Sequence, residues 1–402
     1  MDLGERESDP GAWGEAGSMR STTRTLILGA GFGGLTVATE LKRLLGTDHE
    51  VVLVDRNEYF SMGLRKLWEL VGHATVADGS RSRNALAERG IRVIREEIRE
   101  IDPVARAMAT DAGTIEADYL VIALGAVSRP DLVDGLVEHG HDVWDLAGVP
   151  AAAEALARFD GGRIVILIAG APYPCPPAPY ECAFHVHEHL LSRRLRDRSE
   201  IVVSTVQPLL MPNAGREGSA WMGEQLTQRG ISHRAGSKVE RIEPGRVVLV
   251  DGEIEFDLLI GVPPHRAPAV VNASGLTGEG GWITVNPATL ETSYPRVFAI
   301  GDVTQILLAN GLPLPKAGVI AELEGVPVAA AIAADVQGGG APPPFDGSGS
   351  CFIEMGTAAA ALVVGDWYAT PEPRVAIAEP DAAHAAEKRL FETERLQRWF
   401  GA

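Results

Sequence analysis

Short runs of consecutive apolar residues recur along the chain, and several lead into a glycine turn and a helical stretch. The first run, residues 25–28, continues through Gly29 into a helix that extends to Leu41, and the next run, 51–54, ends at Asp55. Unbroken apolar runs of this length are typical of parallel strands that are buried on both faces. Further strands are predicted at 119–124, 164–168, 201–206, 247–250, 256–262 and 293–302. Strands that alternate with helices predict an α/β fold with parallel sheets.

The last part of the chain, 346–402, has a different pattern. It begins with strand-like pieces such as 361–364 and ends in a helix over 382–400, which together predict an α+β segment. The large apolar residues of the helix spread around a helical wheel with charges between them: Leu390, Phe391, Leu396, Trp399 and Phe400. We expect the helix to dock on the protein or on a second subunit of a homo-oligomer, with peripheral membrane contact as an alternative.

Composition narrows the class of protein. The 402 residues include 36 Lys and Arg against 54 Asp and Glu, a net charge of −18, which argues against a nucleic-acid partner. Residues 1–22 are polar and lack the apolar core of a signal peptide, and no apolar run approaches the roughly 20 residues that span a bilayer. We therefore expect residues 1–22 to be a disordered extension. We expect the protein to be cytoplasmic, with contact at the inner face of the cell membrane left open.

The first glycine turn has the spacing of a dinucleotide-binding loop. Gly29, Gly31 and Gly34 form G-x-G-x-x-G between a strand and a helix, where the backbone approaches a pyrophosphate and the helix N-terminus binds its charge. Asp55, at the end of the second strand, is placed to bind a ribose hydroxyl. The predicted cofactor-binding residues of this loop and strand end are Gly29, Gly31, Phe32, Gly33, Gly34, Asp55 and Arg56.

A second motif indicates FAD. The strand that begins near residue 293 ends in Gly301 and Asp302, and such an aspartate can bond the ribityl chain of a flavin. With the first motif, this resembles the two-dinucleotide-domain flavoproteins, and residues 119–126, with Ala123 and Gly125, resemble their middle strand and glycine turn. The resemblance implies a glutathione-reductase-like fold of two Rossmann-like domains. It implies an FAD-binding domain at 23–130 and 265–340, a second domain at 131–264, and the C-terminal segment at 346–402.

The second Rossmann-like domain lacks the residues that NAD(P)H needs. Its first strand leads into Ala-Gly-Ala-Pro-Tyr-Pro at 169–174 instead of a second G-x-G-x-x-G, and prolines have no N–H to cradle phosphate. Its second strand ends at Gln207 without an acid for a ribose. We predict that this domain does not bind NAD(P)H. The loop between its first strand and the following helix carries a thiol, Cys175, where a glycine-rich nucleotide-binding loop would be expected.

The junction supplies a narrower resemblance. Residues 175–181, Cys-Pro-Pro-Ala-Pro-Tyr-Glu, resemble the active-site loop of the sulfide:quinone oxidoreductases and of the flavoprotein subunit of flavocytochrome c sulfide dehydrogenase. Residues 257–264 resemble that family's return to the FAD domain, and residues 314–318, with Glu322, resemble its Pro-Lys-x-Gly segment beside the flavin. Cys351 falls where the family keeps its C-terminal redox cysteine. The resemblance covers roughly residues 24–370.

The resemblance implies a reaction. Cys175 and Cys351 would form a redox disulfide that sulfide attacks, leaving a persulfide on one sulfur and a thiolate on the other, from which two electrons reach FAD and then a quinone. Because a free thiol has a pKa of about 8.5, a helix N-terminus or a cation such as Lys316 must stabilise the thiolate. Lys316 is also a candidate flavin contact. Glu181 is either a proton shuttle or a first-turn acid that the helix dipole favours.

The chain also departs from the family. No third cysteine precedes Cys175, and Cys182 is interpreted as a core thiol, so the pattern is more like the flavocytochrome flavoprotein. No cysteine occurs in 59–64, where some relatives tether the flavin, so FAD should be noncovalent. Two alternatives stay open: a type II NADH dehydrogenase-like NAD(P)H:quinone oxidoreductase, and a non-catalytic FAD-binding protein or partner-dependent electron carrier.

Three histidines follow the cysteine loop. His185 and His189 are four residues apart and would share one helix face, with His187 between them. The spacing is not H-E-x-x-H, and the favoured interpretation is a solvated helix face. No metal is predicted.

Overall fold

The computed structural model describes residues 22–401, so the extension predicted for residues 1–22 lies outside it except for Thr22. The first third of the chain builds strands and short helices around a buried parallel sheet. These elements are β1 (Thr23–Leu28), α1 (Phe32–Leu45), β2 (His49–Val54), β3 (Tyr59–Phe60), α2 (Arg65–Leu70), β4 (Arg81–Ser82), β5 (Ile91–Ile94), β6 (Glu100–Asp102), β7 (Ala107–Thr110), β8 (Gly113–Glu116), β9 (Tyr119–Ile122) and β10 (Val127–Ser128).

The middle of the chain builds a second α/β unit. Its elements are α3 (Leu136–His139), β11 (His141–Asp142), α4 (Val149–Arg158), β12 (Gly162–Ile168), α5 (Ala178–Ser192), β13 (Ser199–Thr205), α6 (Gly215–Gln228), β14 (Ser232–Arg234), β15 (Val239–Glu243), β16 (Arg246–Leu249), β17 (Gly252–Glu255), β18 (Leu258–Val262) and β19 (His265–Arg266). The chain then returns through α7 (Ala269–Ala273), β20 (Val297–Ala299) and α8 (Gly318–Gln337), and it ends in β21 (Ser348–Glu354), β22 (Ala360–Asp366), β23 (Arg374–Ile377) and α9 (Ala382–Phe400).

Two parallel five-stranded sheets organise the molecule. The first has the order β20-β9-β1-β2-β5, so one of its strands comes from the returning part of the chain. The second has the order β11-β18-β12-β13-β14. In both sheets the central strands are largely buried, as in β1, where Leu26, Ile27 and Leu28 expose no surface. The predicted α/β fold with two Rossmann-like units is confirmed.

Some predicted strands differ from the observed ones. The run at 247–250 belongs to β16, which lies in a separate antiparallel sheet β15-β16-β17, and its alternating burial fits a sheet with one face in solvent. Of the strand predicted at 293–302, only Val297–Ala299 pairs in the sheet. The physical reason is local, because Pro295 has no N–H to donate and Arg296 has a left-handed φ of 64°.

The C-terminal segment is an antiparallel sheet, β21-β22-β23, followed by α9, which packs on its own chain. Trp399 is fully buried, with its ring edge-on to Phe32 at 5.2 Å and to Phe60 at 5.4 Å between centroids. Leu390, in contrast, is 55% exposed. Within residues 22–401, no helix is both long and apolar enough to cross a membrane.

Candidate active site

A cavity of about 860 Å³ lies where the N-terminus of α1, the cysteine loop at residues 175–181 and the C-terminal segment meet. We call it the main cavity. Its wall includes Gly31, Phe32, Arg56, Asp302, Gly318, Lys66, Cys175, Glu181, Cys351 and Lys388. The structure therefore brings four predicted cofactor-binding residues together with both predicted redox cysteines. The other predicted cofactor-binding residues lie outside this wall: Gly29, Gly33, Gly34, Asp55, Ala123, Gly125, Gly301 and Lys316.

The turn between β1 and α1 is too tight for side chains. Gly29 has a φ of 97°, and a Cβ there would lie 2.3 Å from the carbonyl oxygen of Ala123. A Cβ on Gly34 would lie 1.9 Å from the carbonyl oxygen of Gly29. Gly29 lets the turn pack against Ala123, which follows β9. Gly34 lets the start of α1 pack against the turn. The first N–H groups of α1, beside Gly31 and Phe32, are consequently presented at the main cavity, where an anion would bind.

Asp55 holds this turn in place. Its carboxylate accepts hydrogen bonds of 2.8 Å from the main-chain N–H groups of Ala30 and Asn57, and the guanidinium of Arg83 lies 3.4 Å away. The neighbouring Arg56 reaches the wall of the main cavity. Whether Asp55 also binds a ribose stays a prediction.

Asp302 has the environment expected of a flavin contact. Its Oδ1 atom is buried and finds no hydrogen-bond partner among residues 22–401. Burial raises the pKa of this carboxyl, and the cations of Lys316 and Lys66 oppose the rise. A buried carboxylate oxygen without a partner costs free energy unless a ligand satisfies it. A ribityl hydroxyl of FAD supplies such a donor, so the residues present fit the cofactor.

Lys316 lies beside Asp302, and its ammonium is bound by main-chain oxygens. Nζ donates to the main-chain oxygens of Asp302 at 2.7 Å and Thr304 at 2.8 Å, and it lies 3.6 Å from the ring centre of Trp282. Burial lowers the pKa of Lys316 to about 8. These carbonyl oxygens hold its ammonium, and the expectation that its charge stabilises the thiolate stays a prediction. It is the main-chain oxygen of Lys316 that contacts Cys175.

Cys175 sits in the loop between β12 and α5. It has a left-handed φ of 58°, its N–H donates to the oxygen of Lys316 at 2.6 Å, and its own oxygen accepts from Ala178 at 2.9 Å. Such a backbone in a residue other than glycine is held by its surroundings, and residues of this kind cluster at functional sites. The bond from Ala178 joins the loop to the first residue of α5.

Cys351 lies on β21, in the C-terminal segment. It lines the main cavity with Cys175, and both also line a small apolar cavity of about 70 Å³ together with Ile353 and Trp367. All three cysteines of the chain are free thiols in the structure. Cys182, on α5, is fully buried, as its interpretation as a core thiol predicts.

Burial raises the pKa of both thiols of the pair. For Cys175 the carboxylate of Glu181 and the second thiol raise it further, while the ammonium of Lys388 lowers it. For Cys351 the same ammonium is the strongest influence that lowers the pKa. The ammonium of Lys388 thus lowers the pKa of both thiols. The surroundings favour the protonated thiols over the thiolates.

Lys388 belongs to a buried cluster that the sequence did not reveal. Its Nζ lies 2.5 Å from Glu181 Oε1 and 3.5 Å from Glu354 Oε2, and the N–H of Glu354 donates to Glu181 Oε1 at 2.8 Å. His185 Nε2 lies 2.8 Å from Glu354 Oε2. Lys388 is one of many charges on α9, so no sequence signal singled it out. Glu354 carried only a weak sequence signal, because it follows Cys351 by three residues on the same strand.

The solvated helix face predicted for the histidines is wrong for His185, which is fully buried. The reason is that β21 packs on α5, so that His185 pairs with Glu354 instead of water. His187 and His189 are half-buried. One ligand atom each of His73, His185 and Glu188 lie within 4.8 Å of one another.

Relatives of known activity match most of the chain. A mouse protein, mitochondrial sulfide:quinone oxidoreductase, is 26% identical over 300 residues, 70% of this chain and 65% of that protein, so the chain spans less than two thirds of its length. A type II NADH:quinone oxidoreductase of Staphylococcus aureus is 24% identical over 329 residues, 76% of this chain and 81% of that protein.

Solved structures and a family pattern agree with these matches. The structure of the sulfide:quinone oxidoreductase from Aquifex aeolicus has a TM-score of 0.85 at 24% identity, covering 94% of this chain and 92% of that one. The predicted resemblance to the sulfide:quinone oxidoreductases is confirmed. The sequence pattern of the pyridine nucleotide-disulphide oxidoreductases matches residues 23–331, so this chain belongs to that family and is an FAD-dependent oxidoreductase.

Proposed function

We propose that the protein oxidises sulfide, or another small sulfur compound, at Cys175 and Cys351 and passes the electrons through FAD to a quinone. One observation carries the proposal: the two cysteines, called the dithiol below, line the same cavity as Phe32 and Asp302. The mouse and Aquifex relatives, whose names give sulfide and quinone as substrates, support it.

The chain supplies groups for the pyrophosphate and the ribityl chain of the cofactor. The N-terminus of α1 at Gly31 would hold the pyrophosphate, Arg56 would pair with its charge, and Asp302 would accept a hydrogen bond from the ribityl chain. Held by these residues, FAD would supply two-electron redox chemistry between the dithiol and a quinone. We propose that the cofactor is bound without a covalent link, so denaturation should release it.

The dithiol performs the sulfur chemistry. In its oxidised form the two sulfurs are joined, and HS⁻ attacks one of them. A new S–S bond forms, the bond between the cysteines breaks, and the second cysteine leaves as a thiolate. Oxidation of one HS⁻ to the level of sulfane sulfur releases one proton and two electrons. A flavin held beside the dithiol would take up both electrons and this proton, so the oxidation of HS⁻ balances without a net release of protons.

The small apolar cavity supports a sulfane-sulfur product. It is lined by both cysteines, by Ile353 and by Trp367, and sulfane sulfur is uncharged and poorly hydrated. Glu181, at the start of α5 and on the wall of the main cavity, is placed to take up protons near the dithiol. We keep it as a proton carrier rather than a simple first-turn acid, because its carboxylate is buried.

Anaerobic reduction of the purified yellow protein tests the proposal. When the protein is mixed with sulfide, the flavin absorbance should be bleached, whereas NADH at the same concentration should leave the absorbance unchanged. Bleaching by NADH alone would favour the type II NADH dehydrogenase alternative, which the Staphylococcus aureus relative supports and the proline-rich loop at 169–174 opposes. A protein that neither donor reduces would be an FAD-binding protein or electron carrier.

The acceptor is tested in the same way. A water-soluble quinone added after bleaching should restore the flavin absorbance. Because natural quinones reside in the bilayer, we also propose peripheral contact with the inner face of the cell membrane. Co-flotation of the protein with lipid vesicles would support this contact, and its absence from the floated fraction would contradict it.

A further inference from the structure

We propose that His73, His185 and Glu188 form a binding site for a divalent transition-metal ion, of which Zn²⁺ fits best, and that the bound ion ties the turn after α2 to α5. The site is independent of the proposed sulfur chemistry, because no cysteine is among its ligands. The pair that the helix spacing offered, His185 and His189, is not the set that converges. The ligand that the sequence could not show is His73, which folding brings to α5.

Three ligand atoms come together at this site. One nitrogen each of His73 and His185 and one carboxylate oxygen of Glu188 lie within 4.8 Å of one another, and the two ring centroids are 6.3 Å apart. His185 and Glu188 are three residues apart on α5, so they share one face of the helix. The turn that carries His73 is fixed, because its main-chain N–H donates to the oxygen of Trp68 at 2.8 Å.

The ring of His185 needs a partner on the side that faces this site. The residue is fully buried, and its Nε2 atom lies 2.8 Å from Glu354 Oε2. Its Nδ1 atom is buried and finds no hydrogen-bond partner in the part of the chain that the structure describes. A buried polar atom of this kind costs free energy unless a ligand satisfies it, and a bound ion is one such ligand.

Glu354 prepares this ring for metal binding. Burial opposes ionisation of the carboxyl, but the ammonium of Lys388 and the hydrogen bonds from His185 and Trp68 hold its pKa well below its usual range. An ionised carboxylate only accepts hydrogen bonds, so Nε2 carries the proton and, in the neutral ring, Nδ1 keeps its lone pair. Histidines that bind metals usually donate their second ring N–H to a carboxylate or carbonyl in this way.

Glu188 is held in place by the turn that precedes β22. Its Oε2 atom accepts from the N–H of Thr357 at 2.6 Å, and its Oε1 atom accepts from the hydroxyl of the same residue at 2.5 Å. A Cβ at Gly356 would lie 2.6 Å from Oε2, so a glycine lets the turn come this close. Each carboxylate oxygen has two lone pairs, so the carboxylate can bind a metal and keep both hydrogen bonds.

The ligand set selects the class of metal. Two histidines and one glutamate, with water in the fourth position, are a known zinc set, whereas Mg²⁺ and Ca²⁺ prefer oxygen ligands. Zinc bonds of about 2.0–2.1 Å place tetrahedral ligand atoms roughly 3.3 Å apart. The side chain of His73 is exposed, so it is free to rotate and close the remaining gap.

Binding of Zn²⁺ alone to the FAD-bound protein, produced without a histidine tag, tests the site. Thiolates also bind zinc, so the starting protein, called the double-serine protein, combines Cys175→Ser with Cys351→Ser. Isothermal titration calorimetry of this protein after chelator treatment should find one Zn²⁺ per chain, and Zn²⁺ should raise its melting temperature. Co²⁺ should give the d–d bands of a tetrahedral ion at longer wavelengths than the flavin absorbance.

Two ligand variants of the double-serine protein are compared with a control on the same helix. His73→Ala removes an exposed ligand, and His185→Gln removes Nδ1 while an amide N–H remains for Glu354. Each should weaken Zn²⁺ binding by roughly 10–100-fold or more, since loss of an outer-shell partner alone has an effect of this size. His187→Ala is the control, because His187 is half-buried on α5 and its Nδ1 accepts from Arg196 at 3.0 Å.

The control variant should bind Zn²⁺ as the double-serine protein does. His73→Ala keeps the test valid where the buried variant fails to fold, because its side chain is exposed. Absence of Zn²⁺ binding to the double-serine protein would overturn the site. Equal affinities of His73→Ala and His187→Ala for Zn²⁺ would overturn it as well.

Discussion

The main-chain N–H of Cys175 donates a 2.6 Å hydrogen bond to the carbonyl oxygen of Lys316. The two residues lie in loops of different units: one follows β12 of the second sheet, and the other precedes α8, which packs on the first. Lys316 in turn bonds the turn that carries Asp302 through its ammonium. The position of the thiol relative to Asp302 therefore depends on this main-chain contact and on the ammonium of Lys316.

Replacing either cysteine of the pair should abolish sulfur-dependent flavin reduction. Cys175→Ser and Cys351→Ser remove an atom that must form and break S–S bonds, and loss of a nucleophile typically costs about 10³-fold or more in rate. The measurement is the rate of anaerobic flavin bleaching by sulfide in a stopped-flow spectrometer.

Cys182→Ser is the matched control for this experiment. Cys182 follows Cys175 by seven residues but is a fully buried core thiol outside the main cavity. Its substitution should leave the bleaching rate within about threefold of the wild type, although it should lower stability slightly, because a hydroxyl replaces an apolar sulfur in the core. A Cys182→Ser protein that loses bleaching while Cys351→Ser keeps it would contradict the assignment of the pair.

Asp302→Ala should weaken the retention of FAD. The buried Oδ1 of Asp302 has no protein partner among residues 22–401, and a hydrogen bond donated to a charged acceptor contributes about 1.5–3 kcal/mol, which is roughly a tenfold to hundredfold change in affinity. The ratio of flavin to protein absorbance after gel filtration measures the loss. Asp160→Ala, at an exposed aspartate that pairs with Arg198, should retain the flavin fully. Equal flavin content in both variants would remove Asp302 from the FAD site.

The parts of the site that the sequence predicts are those with local signals. The glycines of the first turn and the Gly-Asp motif follow strands, so spacing alone places them, and the cysteine loop replaces a known motif at a known junction. Lys388 and Glu354 carry no such signal. Their partners come from α5 and β21, and only tertiary packing shows that α9 delivers a buried ammonium between two carboxylates.

The same limit explains the error at His185 and the mixed result for α9. A helical wheel shows which residues share a face, but it does not show what covers the face, and here β21 covers His185. For α9 the apolar residues are scattered because they contact different surfaces. Trp399 and Phe400 pack near Phe32 and Phe60 of the first unit, whereas Leu390 is exposed.

Trp399→Ala should destabilise the protein strongly. The side chain is fully buried and packs edge-on against Phe32 and Phe60, and deletion of a buried tryptophan typically costs about 3–5 kcal/mol. Urea unfolding of the holoenzyme, followed by fluorescence and circular dichroism, measures the change. Leu390→Ala on the same helix, at a side chain that is 55% exposed, should shift stability by less than about 0.5 kcal/mol. Equal effects of the two substitutions would mean that α9 is not docked through Trp399.

The stability of the protein should fall as the pH is lowered from about 6.5 to about 4, partly through His49. Burial lowers the pKa of His49 from 6.5 to about 4, and the nearby ammonium of Lys42 adds to this shift. Between these values the unfolded chain binds a proton that the folded chain does not, so the contribution of His49 is complete above pH 6.5 and is lost as the pH falls through about 4, on the order of 2–3 kcal/mol in total.

His49→Gln should therefore show a flatter decrease of the free energy of unfolding between about pH 7 and about pH 4.5 than the wild type, while His233→Gln, at an exposed histidine, should follow the wild type. The hydroxyls of Thr23 and Thr25 lie 2.7 Å from the two ring nitrogens, so glutamine keeps some of the polar contacts and loses only the titration. Parallel pH curves for His49→Gln and the wild type would show that His49 is not the group responsible.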